Sequence, residues 1–385
     1  MLGASQERIA LRGRVFVEGA VTADAAVELE GPSIRRVADP GDIDGPFEEL
    51  GECLLAPGFI DVHTHGAGGA DFADPRPGAV ARAARCKLAH GTTGFMASLI
   101  SSPWVSISAA LAHLGQFRAT DPLGSALLGV HFEGPFLNAA MRGAHPAENL
   151  LAPALAIADE YLERVPRGLC AMFTVAPELP DGLALVEHLA RSGAVVAQGH
   201  SRASYDQARQ AMERGARHAT HLFNAMAPLH HRNPGIAGAF LDEPEATVEL
   251  IPDGTHVHPA LLRLVSRLKG PAGIAAVTDS VPVAGLAPGT YEWLGREVAL
   301  REAGAFLPGG TLAGSALDAS GALRGLLAAG LSLAPALTML TETPARLLGL
   351  WAERGSLSPG KRADLVVLDP NLRVTRTYLA GQRVA

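Results

Sequence analysis

Short apolar runs alternate along most of the chain with longer segments that are rich in alanine, leucine and arginine. The runs have the length of buried strands, and the segments between them have the length and composition of helices. Because consecutive parallel strands need a long crossover, usually a helix, this alternation predicts a parallel (β/α)8 barrel. Its strand-like runs are 59–66, 91–98, 126–134, 170–178, 194–201, 218–226, 246–254 and 273–280.

The two ends of the chain have a different pattern. Residues 8–55 and the segment after 362 alternate apolar and polar positions in short runs separated by glycine, proline and aspartate, which is typical of strands and turns. We therefore expect both ends to build one small β-sandwich domain. The predicted fold class is α/β, with this small domain at 1–56 and 362–385 and a (β/α)8 TIM-like barrel at 57–361.

The composition excludes some functions without identifying one. The formal net charge of −7 disfavours a nucleic-acid partner, since phosphate backbones attract basic surfaces. The three cysteines, Cys53, Cys86 and Cys170, lack CxxC spacing, so neither a disulfide scaffold nor a structural zinc knot is expected. No apolar run reaches 18 residues, and the first residues lack a signal-peptide core. We expect a cytoplasmic protein with no membrane partner.

Reactive side chains occur at or just after the carboxyl ends of the strand-like runs. In a parallel barrel these ends converge on one face, where active sites of this fold are built. Burying a histidine or a carboxylate there is unfavourable unless it is paired or bound to a metal ion. The pattern therefore predicts a polar catalytic site. Its candidates are His63, His65, Glu133, Glu178, His200, His221, Asp253 and Asp279.

The histidines among these candidates favour a metal site. His63 and His65 lie two residues apart on one strand and so point the same way, which allows both to bind one ion. An HxH pair alone is a weak signal, but this pair closes the first barrel run. His200 and His221 close successive runs at the same barrel end, which favours metal binding over two isolated structural histidines.

Two carboxylates complete the predicted chemistry. Glu133 precedes a Gly-Pro turn, and by itself it is better explained as a helix-capping or turn residue; together with the histidines it is a candidate oxygen ligand for a divalent ion. Asp279 follows the eighth run, where it either caps the next segment or acts as a general base toward an activated water. Asp61 and His131 are expected to support these groups or to be structural.

A series of motifs between residues 56 and 369 carries a family resemblance. They are, in order, PGFIDVHTHG, HFEGPFLN, RGAH, GHS, HATHLFNAM, HHRNPG, PDGTHV, VTDS, GGTLAGS, TPARLLGL and GKRADLVVLD. On these motifs the chain resembles the amidohydrolase superfamily and, within it, the N-acetylglucosamine-6-phosphate deacetylases. HxH and ADLVV are shared across the superfamily, whereas HFEGPFLN, THLFNAM and TLAGS are far more specific. The fourth run, CAMFTVAPE, has no lysine of the kind that bridges two metals in many relatives.

The resemblance implies a role for each matching residue. Glu133, His200 and His221 are similar to the ligands of a tightly bound metal ion, and Asp279 to the catalytic acid and base. His145 is similar to the histidine that polarises the acetyl carbonyl. A loop at 312–314 is expected to cover the sugar. The implied substrate-binding set is Ala144, His145, Asn224, Ala225, Arg232, Asp253, His256, Leu312, Ala313 and Gly314.

The implied cofactor is a divalent metal ion. Zinc is the first expectation, with iron, manganese and cobalt open, because histidine and carboxylate ligands suit all four. Some members of the family replace the HxH histidines with amides and hold a single ion, whereas this chain keeps His63 and His65. We therefore expect one tight site and a second, weaker site formed by His63, His65 and Glu133. A homodimer is the implied assembly.

The favoured function is hydrolysis of N-acetylglucosamine 6-phosphate to glucosamine 6-phosphate and acetate. A dihydroorotase-like or isoaspartyl-dipeptidase-like hydrolase would explain HxH and Asp279, but it leaves FNAM, HHRNPG and TLAGS without a role. A sugar-phosphate-binding regulator would need neither Asp279 nor His145. Release of acetate from the phosphorylated amino sugar separates the three hypotheses.

Overall fold

The computed structural model describes residues 8–43, 45–301 and 304–385; residues 1–7 and 44 of the predicted β domain and 302–303 of the predicted barrel lie outside the described residues. The strands are β1 (Arg8–Val17), β2 (Ala20–Glu30), β3 (Ser33–Ala38), β4 (Phe47–Pro57), β5 (Phe59–Thr64), β6 (Gly66–Ala67), β7 (Ala70–Asp71), β8 (Thr92–Ile100), β9 (Leu127–Glu133), β10 (Cys170–Val175), β11 (Val195–Gln198), β12 (Ala216–Ala219), β13 (Thr247–Leu250), β14 (Ile274–Ala276), β15 (Gly289–Trp293), β16 (Arg296–Arg301), β17 (Gly304–Phe306), β18 (Leu312–Gly314), β19 (Leu365–Leu368), β20 (Val374–Leu379) and β21 (Gln382–Arg383).

The α-helices are α1 (Ala79–Ala89), α2 (Trp104–Thr120), α3 (Leu155–Arg164), α4 (Gly182–Arg191), α5 (Tyr205–Glu213), α6 (Gly235–Asp242), α7 (Pro259–Lys269), α8 (Ala319–Ala328), α9 (Leu333–Leu340) and α10 (Glu342–Leu347). Short 3₁₀ helices cover Pro40–Asp42, Gly124–Ala126, Ala139–Met141, Ala147–Asn149 and Pro271–Gly273. Within the described residues, none of the helices is long and apolar enough to span a membrane.

The barrel is built from eight parallel strands in the order β5, β8, β9, β10, β11, β12, β13, β14. Each of the eight predicted runs overlaps one of these strands, although β8 ends two residues after its run and β12 begins two residues before its run, and an α-helix follows each strand before the next one begins. The strands are almost entirely buried, because helices cover the outer face and side chains fill the interior. The predicted (β/α)8 fold is confirmed.

The first and last barrel strands are joined by few backbone hydrogen bonds and by the buried Asp61, whose Oδ2 accepts from Thr278 Oγ1 at 2.6 Å. The amide of Asp279 donates to the carbonyl of His63 at 2.9 Å, and the amide of His65 donates to Ser280 at 2.8 Å. Below them, Lys87 Nζ from α1 donates to Asp61 Oδ2 at 2.9 Å, with both side chains 3% exposed or less. This seam fixes the ends of β5 and β14, which carry three of the predicted site residues.

Both ends of the chain form one seven-stranded sheet in the order β21, β20, β19, β4, β1, β2, β3. Residues from six of its strands meet in a core of their own, which includes Leu11, Val27, Ile34, Leu55 and Leu365. Alternate residues such as Leu54 and Val366 pack instead against the barrel helices, as the two-residue period of a strand requires. The β-sandwich part of the predicted fold class is confirmed, while the boundaries at 56 and 362 stay a prediction.

A third sheet follows β14 and was not predicted. Strands β15 to β18 form an antiparallel meander over residues 289–301 and 304–314, inserted between the last barrel strand and α8. Its residues Trp293, Val298 and Ala313 pack with Ile100 from the end of β8. The insertion therefore lies against the mouth of the barrel, on the side of the first strands.

Candidate metal centre

Glu133, His200 and His221 bring three ligand atoms together at the carboxyl ends of β9, β11 and β12. Glu133 Oε1 lies 2.9 Å from His200 Nε2 and 3.0 Å from His221 Nε2, and the two histidine nitrogens are 3.0 Å apart. All three side chains are buried. Two imidazole nitrogens and a carboxylate oxygen at one point are the donor types and number that a catalytic zinc site uses.

The backbone is unusual where these side chains leave the strands. His200, His221 and Asp279 have positive φ angles of 47°, 29° and 46°. Residues other than glycine rarely adopt this region, and such strain is concentrated at functional sites. The three residues lie just after β11, β12 and β14, so the change in backbone direction comes where the side chains turn toward the barrel axis.

His63 and His65 approach the same carboxylate from β5. His65 Nε2 lies 3.2 Å from Glu133 Oε2, and His63 Nε2 lies 3.5 Å from Glu133 Oε1. Both nitrogens also lie within 3.5 Å of Asp279 Oδ1. His63 Nε2 is buried and makes no hydrogen bond within the described residues. A buried lone pair without a partner is costly, so this nitrogen fits a metal ligand.

Hydrogen bonds on the far side of two rings direct their Nε2 lone pairs inward. His200 Nδ1 donates to the carbonyl oxygen of Met141 at 2.8 Å. His63 Nδ1 donates to Glu249 Oε2 at 2.8 Å. In a neutral imidazole the nitrogen opposite the donor carries a free lone pair, and metal-binding histidines are usually held by such a bond.

Glu249 was not among the predicted site residues, although its carboxylate accepts three hydrogen bonds beside the metal centre. It is fully buried on β13, where it accepts bonds from His63 Nδ1, from His218 Nε2 at 3.1 Å and from the amide of His221 at 2.8 Å. Burial would raise the pKa of this carboxyl, but His63 and His218 hold it well below its usual range. The one available signal was a glutamate inside the otherwise apolar run ATVELI.

His145 differs from the other histidines in its hydrogen bonding. Its Nδ1 accepts from the amide of Ser101 at 3.3 Å and lies 2.9 Å from Ser101 Oγ, which places the ring proton on Nε2. Burial lowers the pKa of His145 to about 4, although Glu133 acts in the opposite direction, so the ring is neutral at pH 7. Its Nε2 lies 3.3 Å from Glu133 Oε2. Distance alone would permit His145 as a ligand with Glu133 and His200, but its tautomer makes it a donor.

The two carboxylates that face the centre are ionised. Burial would raise the pKa of Glu133, but the neighbouring His63 and the hydrogen bonds from His145 and His200 hold it well below its usual range. Burial also opposes ionisation of Asp279, whose pKa is nevertheless lowered by the neighbouring His63 and by the hydrogen bond from His65. Ionised oxygens are what a divalent ion binds and what a general base requires.

The last strand of the insertion supports Asp279 from above. The amide of Ser315 donates to the Asp279 carbonyl at 2.8 Å, and a side chain on Gly314 would come within 2.9 Å of that carbonyl. Gly314 has φ of 119°, so both its conformation and its surroundings require glycine. The predicted loop 312–314 thus lies directly over the candidate base.

A cavity of about 320 Å³ opens above the centre. Most of the predicted residues line it, whereas His63 lies beneath them, fully buried. The predicted residues that line it are His65, Glu133, Ala144, His145, His200, His221, Asn224, Ala225, His256, Asp279, Leu312, Ala313 and Gly314. The lining also includes Ile100, Met141 and Trp293, which are not among the predicted site residues.

Three predicted residues lie away from the cavity. Asp253 holds His256, accepting from its Nδ1 at 2.6 Å and from its amide at 2.8 Å. Arg232 is exposed on the loop before α6, with Nη1 2.8 Å from His231 Nε2. Glu178 binds Ser201 and the amide of Arg202. In the part of the chain that the structure describes, no lysine or arginine lines the cavity.

Residues 54–384, which contain the barrel and this whole cluster, match the amidohydrolase family, and the chain belongs to that family. Its curated relatives include the N-acetylglucosamine-6-phosphate deacetylase of Danio rerio, 39% identical over 86% of this chain and 84% of the relative. They also include the N-acetylgalactosamine-6-phosphate deacetylase of Escherichia coli O157:H7, 36% identical over 86% of this chain and 87% of the relative.

A solved structure extends the likeness to three dimensions. The N-acetyl-D-glucosamine-6-phosphate deacetylase of Mycobacterium smegmatis superimposes with a TM-score of 0.92 at 33% identity, covering 98% of this chain and 100% of that one. A mutant of the same enzyme, solved with N-acetyl-D-glucosamine 6-phosphate bound, gives the same values. Members of the amidohydrolase family depend on metal ions, and the buried histidine and glutamate groups described above could hold one.

Proposed function

We propose that the protein hydrolyses the acetamido group of N-acetylglucosamine 6-phosphate, releasing acetate and glucosamine 6-phosphate. The observation that carries the proposal is the placement of one base and one neutral donor around the same buried cluster. Asp279 Oδ1 lies 3.4 Å from His65 Nε2, and His145 Nε2 lies 3.3 Å from Glu133 Oε2. Relatives of this chain act on the 6-phosphates of N-acetylated hexosamines.

Each residue of the cluster has a task in amide hydrolysis. Glu133, His200 and His221 would hold a divalent ion, which supplies Lewis-acid polarisation and makes a bound water acidic enough to attack at neutral pH. Asp279 accepts a proton from the attacking water as the water oxygen adds to the acetyl carbonyl carbon. The Nε2–H of His145 donates to the carbonyl oxygen as negative charge develops there. Asp279 then passes its proton to the amine nitrogen, and the carbon–nitrogen bond breaks.

The sugar phosphate would lie toward the loops after β12 and β13. Asn224, Ala225 and His256 line that side of the cavity. Positive φ angles at His221, Phe223 and Ala225 fall on every second residue, and such alternation turns neighbouring amides toward one side, where they can bind an anion. His256 is held through Nδ1 by Asp253, which leaves its Nε2 free for the phosphate.

A second copy of the chain would supply the missing cation. Arg232 is exposed on the loop before α6, and α7, further along the chain, presents Leu261, Leu264 and Leu268 to solvent. These leucines are spaced as one face of a helix, and Leu229 on the Arg232 loop is also exposed. An exposed apolar stripe marks an association surface, and the proposal is a homodimer in which Arg232 binds the phosphate in the partner's cavity.

Zinc is the proposed ion, with a second, weaker site at His63, His65 and Glu133. The residues proposed for the reaction are Asp279 and His145. A charged sugar phosphate does not cross a bilayer unaided, so the enzyme is placed in the cytoplasm. The free state of Cys53, Cys86 and Cys170 agrees with a reducing compartment.

The galactose epimer is the second candidate substrate. It is favoured by the E. coli relative, whose identity to this chain is 36% against 39% for the Danio rerio enzyme. The two sugars differ only in the configuration of one hydroxyl group, so the metal centre treats them alike and the lining of the cavity discriminates.

The test is acetate release by the purified, zinc-reconstituted protein. We expect turnover of N-acetylglucosamine 6-phosphate, with its galactose epimer, unphosphorylated N-acetylglucosamine, dihydroorotate and an isoaspartyl dipeptide assayed in parallel. The Asp279→Asn variant serves as the control for contaminating activity. Turnover of dihydroorotate or of the dipeptide in place of the amino sugars would overturn the proposal, as would metal-replete protein that binds the sugar phosphate without releasing acetate.

A further inference from the structure

We infer that Ile100 and Trp293 form a wall, here called the acyl wall, that receives the carbon chain of the acyl group and limits it to acetyl. The inference rests on the proposed deacetylation and names the part of the cavity that chooses the acyl group. Both residues line the cavity, and both are largely buried, with 4% and 6% of their surface exposed. Neither has a polar atom free to take part in the reaction.

The acyl wall is rigid because it belongs to a continuous apolar cluster. Ile100 and Trp293 pack with Val281, Val298 and Leu300, which come from the end of the barrel and from the inserted meander. A cluster packed in this way resists enlargement, since adding volume to a close-packed core forces side chains out of their preferred rotamers.

Trp293 is also oriented by its one polar atom. Its Nε1 donates to Asp71 Oδ2 at 2.5 Å, a carboxylate on the short hairpin that follows β5. This bond points the N–H away from the cavity, so the indole presents only carbon to a ligand. Its ring centroid lies 5.9 Å from that of His65, which places the indole beside the metal cluster.

The position of the reacting carbonyl leaves one direction for the acyl chain. A carbonyl carbon has three substituents, and the oxygen is directed to His145 while the nitrogen leads to the sugar. Ile100 immediately precedes Ser101, whose amide and hydroxyl bind His145 Nδ1. The carbon substituent next to that oxygen therefore meets the side of the cavity that Ile100 and Trp293 form.

The barrel topology separates this side from the side assigned to the sugar. In the strand order, β8 is second and β12 is sixth, so they face each other across an eight-stranded barrel. Ile100 ends β8, whereas Asn224 and Ala225 follow β12. An amide lying across the metal cluster thus has its sugar toward β12 and its acyl carbon toward the acyl wall.

The experiment is an acyl series on glucosamine 6-phosphate: N-formyl, N-acetyl, N-propionyl and N-butyryl. For the parent protein we expect kcat/KM to fall by about tenfold or more from acetyl to propionyl, the usual scale for one methylene in a close-fitting pocket. Ile100→Ala and Trp293→Phe each enlarge the pocket. We expect either variant to reduce the acetyl-to-propionyl preference by about tenfold while zinc content and KM for the sugar phosphate stay near parental values.

Leu300→Ala is the matched control, since Leu300 belongs to the same cluster but does not line the cavity. It loosens the cluster equally and should leave the acyl preference unchanged. A profile that stays parental in both Ile100→Ala and Trp293→Phe overturns the inference, and so does an equal shift in Leu300→Ala. Should the parent release no acyl group from any of the substrates, the proposed function itself fails, which is a different result.

Discussion

The barrel mouth has two parts that are built on different principles. The metal cluster is formed by buried side chains at strand ends. Hydrogen bonds to Met141 and Glu249 fix the orientation of the His200 and His63 rings. The loops after β12 and β13, here called the rim, would bind the sugar phosphate. The one predicted arginine of the rim, Arg232, is exposed. The first part is complete within one chain, whereas the second lacks a cation among the described lining residues.

This difference separates the chemistry of the reaction from the choice of substrate. A cluster that is complete in one chain can bind metal and activate water whatever the assembly state. A rim that takes its cation from a neighbour depends on association. Substitutions in the cluster should therefore act on every substrate alike, while substitutions in the rim should act mainly on phosphorylated substrates.

The largest effect is expected for Asp279→Asn. The amide cannot accept the proton of the attacking water, so kcat should fall by about 100-fold or more for phosphorylated and unphosphorylated substrates alike. Zinc content and substrate affinity should remain near parental values, because Asp279 is not among the three tight ligands. Steady-state kinetics and metal analysis on the same preparation check both statements. A turnover number close to that of the parent would remove Asp279 from the mechanism.

Glu249→Gln should weaken binding of the second zinc ion, the one assigned to His63, by about 10–100-fold, the usual cost of losing the partner of a metal-binding histidine. The amide loses the negative charge that holds His63 Nδ1 and His218 Nε2. Competition with a chelator gives the zinc affinity. Glu178→Gln is the matched control, because Glu178 also follows a barrel strand but binds Ser201 and Arg202. An equal loss of zinc affinity in the two variants would show that the effect is not specific to Glu249.

The strand-end residues could be predicted from the sequence because strand period and barrel topology fix where such side chains go. His63, His65, Glu133, His200 and His221 needed only the positions of eight apolar runs. Glu249 could not be predicted, because it lies inside an apolar run and its position there does not show which histidine it contacts. Trp293 could not be predicted, because it belongs to the inserted meander, whose contacts with β8 join residues that are far apart in the sequence. The placement of Arg232 depends on loop conformation and on assembly, which no local pattern encodes.

Arg232→Ala tests the rim. A charge-assisted bond to phosphate contributes about 1.5–3 kcal/mol, so kcat/KM for the phosphorylated substrate should fall at least about tenfold. Unphosphorylated N-acetylglucosamine should be nearly unaffected, and Arg202→Ala, which removes a second cation outside the cavity, serves as the control. If both substrates suffer the same penalty, Arg232 does not bind the phosphate.

Mixing variants shows whether Arg232 acts across the dimer. Arg232→Ala has an intact Asp279, and Asp279→Asn has an intact Arg232. A mixed dimer of the two therefore contains one complete site when the arginine comes from the partner. We expect activity to reappear after the two weak variants are unfolded together and refolded. Activity equal to the average of the separate preparations would place Arg232 in its own subunit or outside the site.

The smallest effect on rate is expected for the double variant His63→Gln with His65→Asn. The tight ligands Glu133, His200 and His221 already describe a complete catalytic site with water in the fourth position. His63 and His65 are additional to it, so kcat should change by no more than a few-fold. The expected change is in metal stoichiometry: about two zinc ions per chain for the parent reconstituted with excess zinc, and about one for the variant.

The reason to expect the second ion lies in how Glu133 uses its two oxygens. Oε1 faces His200 and His221, while Oε2 faces His65 at 3.2 Å, so the two oxygens would be available to two different ions. Ligand atoms of His63, His65 and Glu133 all lie within 4.8 Å of one another. This second site shares its only carboxylate ligand with the first, so it should be the weaker one and lose its ion first on dialysis. A parent that never exceeds one zinc per chain, together with a double variant unchanged in metal content and rate, would show that a single ion suffices and that His63 and His65 serve only to position Glu133 and Asp279.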